Sequence, residues 1–135
     1  IAPSVLLGVK NIQTQPYPGF PTDMQSQMMA CLCTAHGESS ITENIFENRF
    51  KIVPELIRMG ADISVSGSKA LISGSAKLHG EAVAARDLRG GAALVAAGLA
   101  AEGTTIVQES EYIDRGYVDV CSDLRSLGAC IDRRQ

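Results

Sequence analysis

Residues 80–109 read GEAVAARDLRGGAALVAAGLAAEGTTIVQE, and this stretch decides the fold. Gly80 to Ala85 (GEAVAA) and Thr104 to Glu109 (TTIVQE) read as strands. Between them Asp87 precedes LRGGAALVAAGLAA, a Pro-free run built almost wholly of Ala, Leu, Val and Gly. Asp is a favoured helix N-cap and Gly103 a stop signal, so the run predicts a helix over 88–101. That helix is apolar nearly all round, which predicts burial on most sides. A helix joining two strands implies a crossover and parallel pairing, with the helix covering a sheet face.

The same order precedes it. NIQTQ (11–15) alternates like a strand, and PYPGFP (16–21) breaks it as a stiff loop. Thr22 or Asp23 is placed to cap a helix over DMQSQMMACLCTA (23–35), closed by Gly37. SSITEN (39–44) reads as a strand, and KIVPELIRM (51–59) as a helix in which Pro54 fits only the first turn. ADISVSG and SKALISG are alternating strands joined near Gly67 and Ser68, a hairpin signal. Downstream, Tyr117 to Leu127 predicts a helix stopped by Gly128, and CIDRR (130–134) the start of a last strand.

These two runs are copies. Gly37 and Gly103 are 66 positions apart, as are Phe46 and Tyr112, Asn48 and Asp114, and Arg49 and Arg115. The offset then grows to 68, matching Leu56 with Leu124, Gly60 with Gly128 and Ile63 with Ile131. A repeat with this spacing defines one supersecondary unit, β-α-β-α-β-β. The first copy is expected over 10–74 and the second, one strand short, over 77–135, within one partial domain spanning 1–135. Residues 1–9 lie outside both copies. The open sheet edge of the second copy predicts self-association or pairing with residues 1–9.

Composition excludes several classes. The 135 residues are 45% hydrophobic and 20% charged, ordinary for a globular chain, and with 4% aromatics and no Trp the core must be aliphatic. A net charge of −3 argues against nucleic-acid binding through phosphate neutralisation. The longest apolar stretch, 91–101, is about half of what a bilayer span needs. With no basic lead-in before IAPSVLLGVK, the default compartment is the cytoplasm. Cys31, Cys33, Cys121 and Cys130 lack metal-site spacing and predict reduced, partly buried thiols; no metal or cofactor is expected. His36 and His79 are isolated and read as surface residues.

Three features carry candidate chemistry. Asp23 in PTDMQ sits at a helix start after a stiff loop: a first-turn carboxylate, or a base aimed at a hydroxyl. In RDLRGG (86–91), Asp87 and Arg89 lie at a helix start, where an anion could bind, or where Asp87 simply caps and the glycines permit close packing. FENRF (46–50) and YIDRGY (112–117) each set an Arg after a strand, in register across the repeat. Arg suits bidentate binding of phosphate or carboxylate, and a single such Arg is more often a surface ion pair.

At these residues the chain resembles a known family. PYPGFPTDMQ, ITENIFENRF, PELIRMGADI, ARDLRGGAALVAAGLAAEGTTI, YIDRGY and LRSLGA are similar to the C-terminal third of the bacterial UDP-N-acetylglucosamine 1-carboxyvinyltransferases, which are enolpyruvyl transferases. The resemblance runs from about Val9 to Arg133. It implies an α/β domain of the inside-out barrel type, with helices buried and sheets outside, of which this chain carries two of three units. It implies transfer of the enolpyruvyl group of phosphoenolpyruvate to the 3-hydroxyl of UDP-N-acetylglucosamine, the first committed step of peptidoglycan synthesis, in the cytoplasm. The roles it implies are Asp23 as base at the sugar hydroxyl, Ile45 beside the nucleotide, and Asp87 beside the reacting carbon. Arg49 and Arg89 match arginines of the closed site, and Arg115 one that clamps phosphoenolpyruvate.

The implied partner is the rest of the enzyme, since the mobile loop with the reactive cysteine and the substrate-binding lysine and asparagine are missing here. None of the four cysteines falls in a matching motif. Alone, the chain is expected to be inactive. The alternatives are an enolpyruvyl transferase acting on shikimate 3-phosphate and a non-catalytic binding or assembly module of the same fold.

Overall fold

A computed structural model describes residues 4–134. The first copy forms β1 (Ile12–Gln13), a 3-10 turn (Thr22–Met24), α1 (Gln25–Thr34), β2 (Glu38–Thr42), α2 (Val53–Arg58), β3 (Asp62–Ser66) and β4 (Lys69–Ser73). The second forms β5 (Ala82–Ala84), α3 (Leu88–Ala100), β6 (Ile106–Gln108), α4 (Glu111–Asp114) and α5 (Val120–Ser126). The first sheet runs β1-β2-β4-β3, with β1 parallel to β2 and the β3–β4 hairpin antiparallel. The second has β5 and β6 only, in parallel. Both crossovers therefore follow from the helices that interrupt the strands.

α1 and α3 pack against each other beneath the sheets. Met29 and Leu32 from α1, Leu94 and Ala97 from α3, Ile41 from β2 and Leu56 from α2 are all at most 2% exposed. Small residues let α3 approach its neighbours. A Cβ on Gly91 would lie 2.7 Å from Ile113 Cγ1 and 3.0 Å from the Ala85 Cβ, so α3 meets α4 and the end of β5 at a position that admits only hydrogen. The β3–β4 turn sits at Gly67, φ +58°, a left-handed conformation for which glycine is the unstrained choice.

Several expectations change. Neither Thr22 nor Asp23 caps a helix: the turn at 22–24 has no side-chain cap, and both side chains are engaged elsewhere. The helix expected over 117–127 begins at Val120, where the Asp119 carboxylate accepts from the Ser122 amide and so fixes the start. YIDR is mostly helix α4, so Arg115 follows a helix and not a strand directly. CIDRR forms no strand over 130–134. In the first copy β3 is held by β4, and among the described residues nothing supplies that ladder to 130–134. The second copy is thus two strands short among the described residues. Residues 6–9 pair with the first copy, not the second: Gly8 N donates to His36 O, His36 N to Leu6 O, and Ser40 N to Val9 O. The helix expected to be buried on most sides leaves Ala96, Leu99 and Ala100 exposed. Cys33 is buried, Cys121 half-buried, and Cys31 and Cys130 are exposed; all four are free thiols.

Candidate functional site

The two packed helices start at the same end. Asp23, one residue before the end of the 3-10 turn leading into α1, accepts a 2.5 Å hydrogen bond at Oδ1 from Arg89 Nε, in the first turn of α3. These residues are 66 positions apart, so they occupy equivalent places in the two copies. The pair stays accessible, with the Asp23 side chain 64% and the Arg89 side chain 35% exposed. Two residues from Arg89, the Asp87 carboxylate accepts from Gly90 N at 2.7 Å and caps α3. That cap satisfies one free amide of the helix start and places a carboxylate there, where the dipole favours it.

Arg115 reaches the same end through the backbone of its neighbour. Gly116 lies against Leu88, since a Cβ there would be 2.8 Å from either Leu88 methyl carbon. Arg115, its neighbour, therefore stands beside the first residue of α3. Its guanidinium carbon lies 5.2 Å from the Tyr112 ring centroid. Arg49 repeats the arrangement in the first copy, 4.3 Å from the Phe46 ring centroid. Such stacking contributes about 0.5–1 kcal/mol at exposed sites and holds the planar cation in one orientation. The repeat thus carries a chemical unit, an aromatic ring and an Arg three residues later, at both sites.

Arg49 and Ile45 line an open cavity of about 760 Å³. Its other walls are the rest of the 43–50 loop, Val53 and Pro54 at the start of α2, and the hairpin tip at Val65, Gly67 and Ser68. Its lining mixes apolar side chains (Ile45, Phe46, Phe50, Val53, Val65) with Glu43, Glu47, Asn44, Asn48 and the cation of Arg49, a surface suited to a ligand with both a flat ring and polar groups. Asp23, Asp87 and Arg89 lie at one end of the α1–α3 pair with Arg115 beside the first residue of α3, Glu43 ties the Ile45 amide to the turn that holds Asp23, and Arg49 stands in the cavity of the 43–50 loop. Arg49 and Arg115 make their aromatic contacts separately, one in each copy.

Two buried carboxylates went unnoticed in sequence. Glu43 links the 3-10 turn to the 45–46 backbone. Glu55 of α2 accepts from Ala84 N at 3.2 Å and pairs with Arg58 at 3.3 Å and Arg86 at 3.8 Å, tying the first copy to the strand that leads into Asp87. The partners of Glu43 at positions 14 and 22, and those of Glu55 at 84 and 86, are 21 to 31 residues away, so no local pattern marks either role. Burial raises the Cys33 thiol to about 12, assisted by the neighbouring Cys31, against a hydrogen bond that lowers it. Among the described residues no cluster of three or more His, Cys, Asp or Glu is arranged to hold a metal ion. Among the described residues no helix is long and apolar enough to cross a membrane.

Comparison with known proteins places this arrangement. The model of the EPSP synthase (3-phosphoshikimate 1-carboxyvinyltransferase) family matches residues 4–124. A UDP-N-acetylglucosamine 1-carboxyvinyltransferase from Desulfofundulus thermocisternus is 60% identical over 91% of this chain and 51% of its own length. UDP-N-acetylglucosamine 1-carboxyvinyltransferase 1 of Clostridium perfringens is 59% identical over 91% of this chain and 29% of its own. The chain therefore spans from under a third to about half of the curated relatives it matches. The enolpyruvyl transferase NikO from Streptomyces tendae superposes with a TM-score of 0.85 at 32% identity, covering 95% of this chain and 29% of that one. With this architecture and these matches, the chain belongs to the EPSP synthase family of enolpyruvyl transferases.

Proposed function

We propose that this chain is part of an enzyme that moves the enolpyruvyl group of phosphoenolpyruvate onto the 3-hydroxyl of UDP-N-acetylglucosamine. The observation that carries the reading is the Asp23–Arg89 pair, which joins a carboxylate and a cation at the common end of α1 and α3. In the reaction the sugar oxygen bonds to C2 of phosphoenolpyruvate, the hydroxyl proton leaves, and the C2–O bond to phosphate breaks, releasing phosphate. Asp23 takes the hydroxyl proton, and Arg89 aims that carboxylate. Asp87 stands at the reacting carbon. Arg115 holds the phosphoenolpyruvate anion, and Arg49 closes the site beside the nucleotide, whose ring packs near Ile45. Two anionic substrates need such cations, which act most strongly once water is excluded.

The names of the 57–60% identical relatives favour the UDP-sugar as acceptor over shikimate 3-phosphate. The reading makes the protein a participant in peptidoglycan synthesis and cell-wall biogenesis in the cytoplasm, with the rest of the same enzyme as partner. The open edge of β6 is the place for that partner or for self-association.

The experiment is phosphate release from phosphoenolpyruvate, with UDP-N-acetylglucosamine or shikimate 3-phosphate as acceptor. The 135-residue chain is assayed alone and joined to the remaining part of the enzyme. Alignment and water exclusion by a second half-site supply roughly 7–11 kcal/mol of the barrier, so the chain alone is expected to be silent. The joined protein should release phosphate with the UDP-sugar. Release with shikimate 3-phosphate alone would replace the acceptor, and no release from the joined protein would remove the catalytic reading.

A further inference from the structure

We propose that Glu43 is a positioning residue that holds the Asp23 turn and the Ile45–Arg49 loop in one frame. The inference deepens the proposed function, because it rests on reading those two segments as one substrate site. Glu43 follows β2 and is 4% exposed. Its Oε1 accepts from Thr14 Oγ1 at 2.9 Å, from Ile45 N at 3.0 Å and from Phe46 N at 3.2 Å. Its Oε2 accepts from Thr22 Oγ1 at 3.0 Å. Thr14 Oγ1 in turn accepts from Asn44 N at 2.8 Å, and the Glu43 amide donates to Ser68 O at 2.8 Å.

Four donors thus converge on one side chain from three segments: the end of β1, the 3-10 turn and the start of the 45–50 loop. Burying a carboxylate is costly unless its oxygens are satisfied. The carboxylate is acceptor-only and takes all four bonds, whereas an amide keeps one neutral oxygen, a weaker acceptor for the Ile45 and Phe46 amides, and turns an NH2 towards Thr22 Oγ1, which must then accept. Thr22 precedes Asp23, and Ile45 and Phe46 open the loop that ends in Arg49. Through Glu43, the carboxylate assigned to the sugar hydroxyl and the walls assigned to the nucleotide keep a fixed separation. Glu109, the same position one repeat later, is exposed. The clamp therefore belongs to the first copy alone.

The test is NMR on the 135-residue chain without ligand, comparing wild type, Glu43→Gln and Thr22→Val. Hydrogen bonds to a charged acceptor are among the stronger ones, so the Ile45 and Phe46 amides of Glu43→Gln should exchange on the order of tenfold faster or more. The Asp23 carboxyl carbon and Arg89 Nε resonances should also move, while the core amides of Ile72 and Leu94 keep their protection. In Thr22→Val the Asp23 and Arg89 signals should move and the Ile45 and Phe46 amides should not. Unchanged exchange at Ile45 and Phe46 in Glu43→Gln, or unmoved Asp23 signals in both variants, would overturn the proposal. If Glu43→Gln does not fold, the Asp23 signals of Thr22→Val decide it. No substrate is present, so this result and the phosphate-release result fail independently.

Discussion

The two copies of the repeat are built from one pattern and reach different ends. In the first, α2 is followed by the β3–β4 hairpin, and Val53, Glu55 and Leu56 are buried. In the second, α5 has no buried residue, Leu127 is 83% exposed, and residues 130–134 lie without strand pairing. Those residues are instead held by side chains: Arg133 pairs with Asp114 at 2.5 Å, and Arg125 Nε donates to Ile131 O at 2.7 Å. What the copies keep in common is local. Each retains the crossover helix and the arginine stacked on an aromatic ring three residues before it. What they lose depends on a partner strand. Crossover helices form in both, with side-chain caps on α3 and α5 of the second copy only, and among the described residues the last helix is buried only where a hairpin follows it.

The copies also differ in charge at a matched position. At one equivalent position the first copy has Asp23 and the second Arg89, and the two pair across the repeat axis. A symmetric pair of aspartates or arginines there would repel. Divergence at this matched position turns a duplicated helix start into a carboxylate with its own counter-cation.

The largest expected effect probes that divergence. Asp23→Asn in the joined enzyme should lower phosphate release roughly 10²- to 10⁴-fold, the range for loss of a positioned base. Thermal stability should barely move, because the exposed pair contributes about 0–1 kcal/mol. Retention of activity within threefold would show that the two helix starts are equivalent after all.

The next effect sharpens the contrast between buried and open surfaces. At pH 8 a thiol raised to about 12 is ionised to roughly one part in 10⁴, and the thiolate is the reactive form. Cys33 should resist alkylation in the native chain while the exposed Cys31 and Cys130 react, as mass spectrometry of iodoacetamide-treated protein would report. Unfolding returns Cys33 towards its ordinary 9.0, so the native state binds the extra proton between about pH 9 and 12. Its preference for folding is therefore full below pH 9 and falls away as pH rises to 12. Alkylation of Cys33 at the rate of Cys31 would mean that the first-copy core opens freely.

The smallest effect compares the caps. Asp87→Ala removes the cap of α3, which is packed in the core, and should cost about 1 kcal/mol, lowering Tm by roughly 4 °C. Asp119→Ala removes the same kind of cap from α5, which buries nothing, and should fray that helix locally while leaving Tm nearly unchanged. Equal shifts in a calorimetric scan would contradict the view that only the first helix of the second copy is cooperative with the core.

How far the fold was legible varied with how local its causes are. The helix at 88–100, the hairpin turn at Gly67 and Ser68, and the early Pro54 of α2 follow from neighbouring residues, and each is present. The strand expected at 130–134 is absent: Ile131 matches Ile63 in sequence, and Ile63 is held by Ile72 of β4, whereas no described residue forms a strand ladder with 130–134. α4 was missed because YID reads as a continuation of a strand; its helical turn forms where Ile113 packs against Gly91 of α3. At the site, Asp87 was legible as a cap from its place before an apolar run. Asp23 was legible as a helix-start carboxylate, but its bond to Arg89 arises only when the two copies pack. Glu43 looked like the polar end of a strand, because its donors come from distant segments.

The central claim is that the common end of α1 and α3, with the adjoining 43–50 loop, is a sugar-nucleotide half-site. Amide NMR of the chain titrated with UDP-N-acetylglucosamine, and separately with shikimate 3-phosphate, tests it most directly. The account predicts saturable shifts at Ile45, Phe46, Arg49 and Asp23 with the UDP-sugar, none on α5, and none at those positions with shikimate 3-phosphate. Shifts confined to α5 or β6, equal shifts with both ligands, or no shift at millimolar UDP-N-acetylglucosamine would contradict it.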